Sequence, residues 1–347
     1  MGKNYYIERN FKNVQKLKKI ETQLPDFCAE FFLGIEPRTS VLTRLNYAYD
    51  LKIFFEFLSQ NIFNKAIKDI KLDDLSKITQ TDLEKYLAHL SYYRDAQGKI
   101  RTNKDYSRSR RLASVKALFK YFFNKDKLQS NIAAKVAFPK IREKEIIRLE
   151  PNEVAKILDQ SESGEELSAH QKHFHSKTKY RDVAILSLFL GTGIRISELV
   201  GLNIEDIDFD SNAFTVVRKS GHSTILYFSD EVADALKKYL NQRLNLPDVP
   251  EQERALFLSI QNKRISVRAV QNLVTKYARI VSPLKKITPH KLRSTFGTEL
   301  YRATGDIYVV ADILGHSDVN TTKKHYAAID TDIRKNAVRR VVLRDDN

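Results

Sequence analysis

Five short stretches of the chain carry side chains suited to phosphate chemistry. They hold Arg195 in GTGIRISEL, Lys219 beyond VVR, His290 and Arg293 in TPHKLRSTF, His316 in DILGHSD, and Tyr326 shortly after. Cations without carboxylates suit a phosphodiester. Two guanidiniums can grip non-bridging oxygens bidentately and stabilise the extra negative charge of a pentavalent phosphorane. His290 and Arg293 stand three apart behind Pro289, a natural first-turn residue. A helix beginning there puts both side chains on one face at its positive end.

Other chemistries lack their residues. There is no GxxxxGK[ST] phosphate loop, and Gly191-Thr192-Gly193 has neither the third glycine nor the preceding strand of a dinucleotide site. It reads as a helix-ending turn. No acidic constellation of the two-metal kind is present. His170, His173 and His175 lie near Glu165 and Glu166 but fit no ligand spacing, so they read as solvated. No cofactor and no metal are expected.

The elements that position these residues follow from composition and pattern. With 347 residues, 42% hydrophobic and 29% charged, the chain suits two globular domains that bury a core without staples. A single cysteine, Cys28, excludes a disulfide framework and points to a reducing, cytoplasmic setting. No apolar run approaches a membrane span, and the first residues have no apolar core for a signal peptide. Tyr6 stands where a myristoylation pattern needs Ser or Thr.

The net charge is +16, with a pI near 9.6. From Lys99 to Lys144 there are 14 Lys or Arg against Asp105, Asp126 and Glu143. Lys99, Arg101, Lys104, Arg108, Arg110, Arg111, Lys116 and Lys120, interleaved with Tyr, Ser, Thr and Asn, offer the donors that DNA phosphates accept. A solvated helix face would explain the run equally well if it stood alone.

Leu42, Leu45, Tyr49, Phe54, Phe57 and Leu58 keep helical spacing, and Thr81 with Glu84 suggests a capping box ahead of Leu83, Tyr86, Leu87 and Leu90. After a basic loop, Leu112, Val115, Phe119, Phe122 and Phe123 form a third apolar stripe. Ser109, Ala113, Lys116 and Lys120 fall on another face, where small residues would let a helix approach DNA. The aromatics read as core rather than stacking platforms.

From Ala137 to Arg148 periodicity lapses, which reads as a linker, and a helix starts near Pro151. The stretch SESGEELSAHQKHFHSKTKY reads as a surface excursion before the apolar RDVAILSLFLGTGIRISELVGL. Ile204 to Phe209, Phe214 to Arg218 and Ser223 to Phe228 read as strands, the last two joined by a hairpin turn. Tyr301 and Tyr308 are expected to pack on an apolar helix face. At the end, Ile333, Ala337 and Val341, with Val338 and Val342 beside them, form a narrow stripe of a short helix that is marginal alone. The expected class is mainly α with a small antiparallel sheet (α+β). Residues 1–138 would form a helical DNA-binding domain, 139–149 a linker and 150–347 a second domain with a tail helix.

The ordered set Arg195, Lys219, His290-Lys291-Leu292-Arg293, Leu314-Gly315-His316 and Tyr326 resembles the tyrosine recombinase, or phage integrase, family and its short two-domain Xer-like members. The resemblance runs from about Arg181 to Tyr326 and extends to the domain order. Two departures stand out. The interval from His316 to Tyr326 is one residue longer than the common Xer pattern, and Ser294 stands where many relatives carry a second histidine.

The resemblance implies a helical core-binding domain and a catalytic domain closing as a C-shaped clamp on double-stranded DNA. It implies that Tyr326 attacks a phosphate to leave a 3′-phosphotyrosyl link, with Arg195 and Arg293 holding the phosphate. Lys219 would protonate the leaving 5′-oxygen, His290 relay protons and His316 donate to a non-bridging oxygen. Action as a homo-tetramer on two sites, through a Holliday junction and with the C-terminal helix exchanged between subunits, is implied too. So is a cytoplasmic, nucleoid-associated location. A type IB topoisomerase or a non-catalytic DNA-binding regulator are the rival readings.

Overall fold

The computed structural model describes residues 3–94, 98–141, 147–218, 221–250 and 252–315. Lys219, His316, Tyr326 and the C-terminal apolar stripe lie outside the described residues. The chain divides into two compact units, Tyr6–Lys144 and Glu145–Asn347, the second also taking in Met1–Tyr5. Helices dominate both. Among the described residues no helix is long and apolar enough to cross a membrane.

The first unit is built from α1 (Lys3–Glu21) from Tyr6 onward, α2 (Phe27–Ile35), α3 (Val41–Leu58), α4 (Leu72–Ser76), α5 (Gln80–Ser91), α6 (Asp105–Phe123) and α7 (Ile132–Lys135). Ser40 caps α3 by accepting the Thr43 N–H at 3.2 Å. The expected aromatics form the core: Phe54 meets Tyr86 and Phe119 edge-on, at 5.1 and 6.5 Å between ring centres. Phe123, Leu42 and Tyr49 lie at the exposed margins of their stripes.

Two readings of this unit need correction. The capping box of α5 is Thr79 with Asp82, not Thr81 with Glu84: Thr79 Oγ1 accepts the Asp82 N–H at 3.2 Å and Asp82 Oδ2 the Thr79 N–H at 3.1 Å. Asp serves the reciprocal role as well as Glu, which moved the helix start two residues earlier. The basic loop after α5 contains a hairpin, β1 (Tyr92–Arg94) paired antiparallel with β2 (Ile100–Thr102). Its strands are too short to alternate legibly, and only Tyr93 is buried among them.

In the second unit α8 (Pro151–Ser163), α11 (Asp230–Leu244) and α13 (Pro289–Thr304) pack against α9 (Ala169–Thr192). Asp182 through Phe189 are buried at every position, so this half of α9 is enclosed nearly all round. α10 (Ile196–Gly201), α12 (Val267–Val281) and α14 (Ile307–Leu314) complete the helices. One antiparallel sheet has the order β3 (Ile207–Asp208), β4 (Ala213–Val217), β5 (Ser223–Tyr227), with Phe214 opposite Leu226.

The excursion expected before α9 is largely helix. Ser168 caps α9 by accepting the Gln171 N–H at 3.3 Å, a Ser-x-x-Gln box, so the polar stretch supplies the first turns of a long helix. His175 is buried, its Nε2 2.9 Å from Ser161 O and its ring against Gly164, which ends α8 at φ +68°. It therefore locks the α8–α9 corner. The strand expected over Ile204–Phe209 is also shorter. Asp206 Oδ2 accepts the Asn203 N–H at 2.8 Å and winds Ile204–Asp206 into a 3₁₀ turn, leaving only Ile207–Asp208 to pair.

Candidate active site

The GTGIRISEL stretch is a joint between two helices. α9 ends at Thr192, and Gly193 turns the chain at φ +62°. A Cβ there would meet side chains of Phe296 at 2.5 Å and Leu314 at 2.8 Å, so both backbone and packing require glycine. The turn delivers Arg195 to the N-cap of α10, where Glu198 takes hold of it. Glu198 Oε2 accepts the Arg195 backbone N–H at 3.0 Å and Oε1 its Nη1 at 2.9 Å. Glu198 is 3% exposed and Arg195 32% exposed, so the guanidinium is fixed from beneath while part of it meets solvent.

Three guanidiniums converge on the end of α14. Arg195 Nη2 donates to Gly315 O at 2.6 Å. Arg293, buried on α13, donates to Leu314 O and to Gly193 O. Arg218, one residue beyond β4, donates to Ile313 O at 3.1 Å and lies 3.4 Å from both Leu314 O and Glu198 Oε1. The last carbonyls of a helix have no partner within it and carry its negative dipole end, which suits three cations. Gly315 closes that end at φ +58°, one residue before His316.

Arg195 and Arg293 are thus brought together as expected. His290 and Arg293 share α13, which starts at Pro289 as expected, but His290 is exposed while Arg293 is buried. Arg218 is a residue that sequence reasoning missed; its signal was a second cation beside Lys219 at the hairpin turn. Tyr301 packs as expected. Tyr308 does not: it is 70% exposed, because Val310, Ala311 and Leu314 form the buried stripe of α14 and Tyr308 lies off it.

The basic residues of the first unit divide by environment. Lys99, Arg101, Lys104 and Lys120 are exposed. Arg110 donates to buried Asp50 at 2.7 Å and Arg111 lies 3.8 Å from the same carboxylate, which also accepts from Ser114 Oγ at 2.9 Å. Burial pushes the Asp50 carboxyl up, opposed by Arg110, Ser114 and Arg111. Arg108 pairs with Asp105 at 3.0 Å and donates to Leu87 O at 3.1 Å. Lys116 sits 4.4 Å over the Phe138 ring and Ser109 Oγ reaches Pro139 O at 3.4 Å, so this helix face carries the following segment.

A cavity of about 680 Å³ among α8, α9 and α11, lined by Lys179, Tyr180, Glu231 and Lys238, shares no residue with the arginine cluster. Among the described residues no three His, Cys, Asp or Glu side chains are placed to hold a metal ion.

Residues 147–332 match the Phage integrase family. The chain belongs to that family. Among similar proteins, the tyrosine recombinase XerC of Caldanaerobacter subterraneus subsp. tengcongensis is 33% identical, over 83% of this chain and 78% of the relative. The tyrosine recombinase XerS of Streptococcus uberis is 28% identical over 94% of this chain and 98% of its own length. The fold matches the Tn1549 transposon integrase, solved with a circular intermediate DNA, at a TM-score of 0.67 and 17% identity, covering 90% of this chain and 99% of that one. This phage integrase family member is a Xer-like tyrosine recombinase, and enzymes of the family break and rejoin DNA. The helical architecture with its small antiparallel sheet is that of the integrase fold.

Proposed function

We propose that this chain recombines DNA at defined sites by transient covalent capture of one strand at a time on Tyr326. The observation that carries this reading is the convergence of Arg195 and Arg293 on the end of α14, immediately before His316 in the chain. Donors fixed before the substrate arrives stabilise developing charge without reorganising during the reaction.

Arg195 and Arg293 hold the non-bridging oxygens of the scissile phosphate, and His316 donates a further hydrogen bond. The Tyr326 phenol, whose free pKa is about 10, loses its proton as it attacks phosphorus, with His290 as relay. The bond from phosphorus to the 5′-oxygen breaks, Lys219 protonates that oxygen, and a 3′-phosphotyrosyl ester forms. Attack by a 5′-hydroxyl from a second duplex reverses the step and joins new partners through a Holliday junction. One phosphoester replaces another at each step, so no external energy source is needed.

Residues 1–138 serve as the core-binding domain, 139–149 as the linker and 150–347 as the catalytic domain. Lys99, Arg101, Lys104 and Lys120 contact backbone phosphates, while Arg108, Arg110, Arg111 and Lys116 combine such contacts with internal packing. The working assembly is a homo-tetramer on two DNA sites, with the C-terminal helix passed to a neighbouring subunit. The protein acts on the nucleoid in the cytoplasm, either resolving chromosome dimers or integrating and excising a mobile element.

The test is covalent trapping on nicked duplexes drawn from the surrounding genome, in the presence of a metal chelator. A protein–DNA adduct formed by the wild type and absent in Tyr326→Phe supports the reading. Tight DNA binding with no adduct on any duplex overturns it in favour of a DNA-binding regulator. Relaxation of supercoils by a monomer without site preference would indicate a topoisomerase.

A further inference from the structure

We infer that Arg218 is a positioning residue for the Lys219 hairpin, tying it to the Arg195–Glu198 pair and to the end of α14. The inference rests on the reading of Lys219 and Arg195 given above.

Arg218 is placed to do two jobs. Its backbone closes the hairpin turn: its N–H donates to His222 O at 2.9 Å and its carbonyl accepts from Gly221 N–H at 2.9 Å. Its side chain leaves the sheet and is anchored elsewhere, on Ile313 O, Leu314 O and Glu198 Oε1. The side chain is 9% exposed, so this guanidinium is largely withdrawn from water and is held by the contacts just named. Gly315 makes room for it: a Cβ there would stand 2.9 Å from Arg218 Cζ and Nη1.

The consequence concerns geometry rather than direct chemistry. The strand pairing that supports this hairpin ends at Val217 opposite Ser223, and beyond it the Arg218 backbone bonds to His222 and Gly221 close the turn. The Arg218 side chain fixes the base of that turn to the same carboxylate that orients Arg195. Arg218, the residue directly before Lys219 in the chain, is therefore referred to the same frame as Arg195. Lysine cannot replace it, because an ammonium on a flexible stem does not span two carbonyls and a carboxylate as a planar fork does.

The test uses the full chain, with Arg218→Met and Arg218→Lys beside wild type and Lys219→Ala. Hydrogen exchange on the DNA-free protein reads the anchor: residues 217–223 should exchange at least about ten-fold faster in Arg218→Met, with α9 unchanged. Cleavage is then measured on the duplex recovered by trapping, with either an ordinary 5′-oxygen or a 5′-bridging sulfur at the scissile phosphate. A thiolate leaves without a proton donor, so sulfur bypasses Lys219. Both Arg218 variants should cleave the ordinary duplex about 30- to 100-fold more slowly and the sulfur duplex within about three-fold of wild type, as Lys219→Ala should.

Unchanged exchange, undiminished cleavage of the ordinary duplex, or an equal deficit on both duplexes would each overturn the inference. Equal deficits with duplex still retained by Arg218→Lys would assign Arg218 to the phosphate grip, and equal deficits with duplex binding lost would assign it to the fold. Absence of any adduct with wild type defeats the recombinase reading instead, and the exchange experiment still decides the anchor.

Discussion

Glu198 grips Arg195 twice, taking the backbone N–H on one carboxylate oxygen at 3.0 Å and the guanidinium on the other at 2.9 Å. Backbone and side chain of Arg195, the residue proposed to hold the phosphate, are thereby fixed together. Glu198→Gln removes the charge while keeping the shape. Hydrogen bonds to charged groups contribute about 1.5–3 kcal/mol, so adduct formation should slow by about 10- to 100-fold with little change in duplex retention on a gel. An undiminished rate would mean that Arg195 is oriented by other contacts.

Asp182 is a structural hub of the second unit. It is buried and accepts from Arg181 at 2.7 Å, Lys276 at 2.9 Å and Tyr277 Oη at 3.0 Å. Asp182→Ala leaves two cations without their shared counter-charge. Breaking such a buried pair costs about 3–5 kcal/mol, which denaturant unfolding should register as a lower midpoint.

The basic residues of the first unit should separate by salt dependence. Lys104→Ala or Lys120→Ala should each lower the slope of log binding constant against log salt by about one and leave stability unchanged. Arg110→Ala should also lower the unfolding midpoint, because it strips the buried Asp50 of its principal counter-charge. Identical thermal stability of all three variants would contradict this division.

Acid should loosen the first unit through Asp74. The Lys65 ammonium, hydrogen-bonded to it, holds the Asp74 carboxyl below the usual range, and burial works against it. A carboxyl depressed in the fold contributes stability that is present above its unfolded pKa, about 3.9, and is lost as pH falls through its folded value. Carboxyl NMR titration should find the Asp74 midpoint below that figure and raised in Lys65→Met.

Much of this was legible in the residues themselves. Cations with family spacing marked Arg195 and Arg293, and the apolar stripes around Phe54 and Phe119 marked the core. What stayed hidden depended on contacts between distant segments. Arg218 gains meaning only when β4 meets α14, some 95 residues later. His175 and Ser161 lie 14 residues apart, and their contact needed the α8–α9 corner. Short elements such as β1 and β2 are defined by pairing rather than periodicity. Asp50 disguised the local role of Arg110, 60 residues away, which sequence pattern assigned to DNA alone.

The most direct measurement is to digest the trapped protein–DNA adduct and map by mass spectrometry which tyrosine carries the nucleotide, and through which end. The account predicts a 3′-phosphate on Tyr326. A nucleotide on Tyr308, which is exposed on α14, or a 5′-phosphate on any tyrosine, would contradict it.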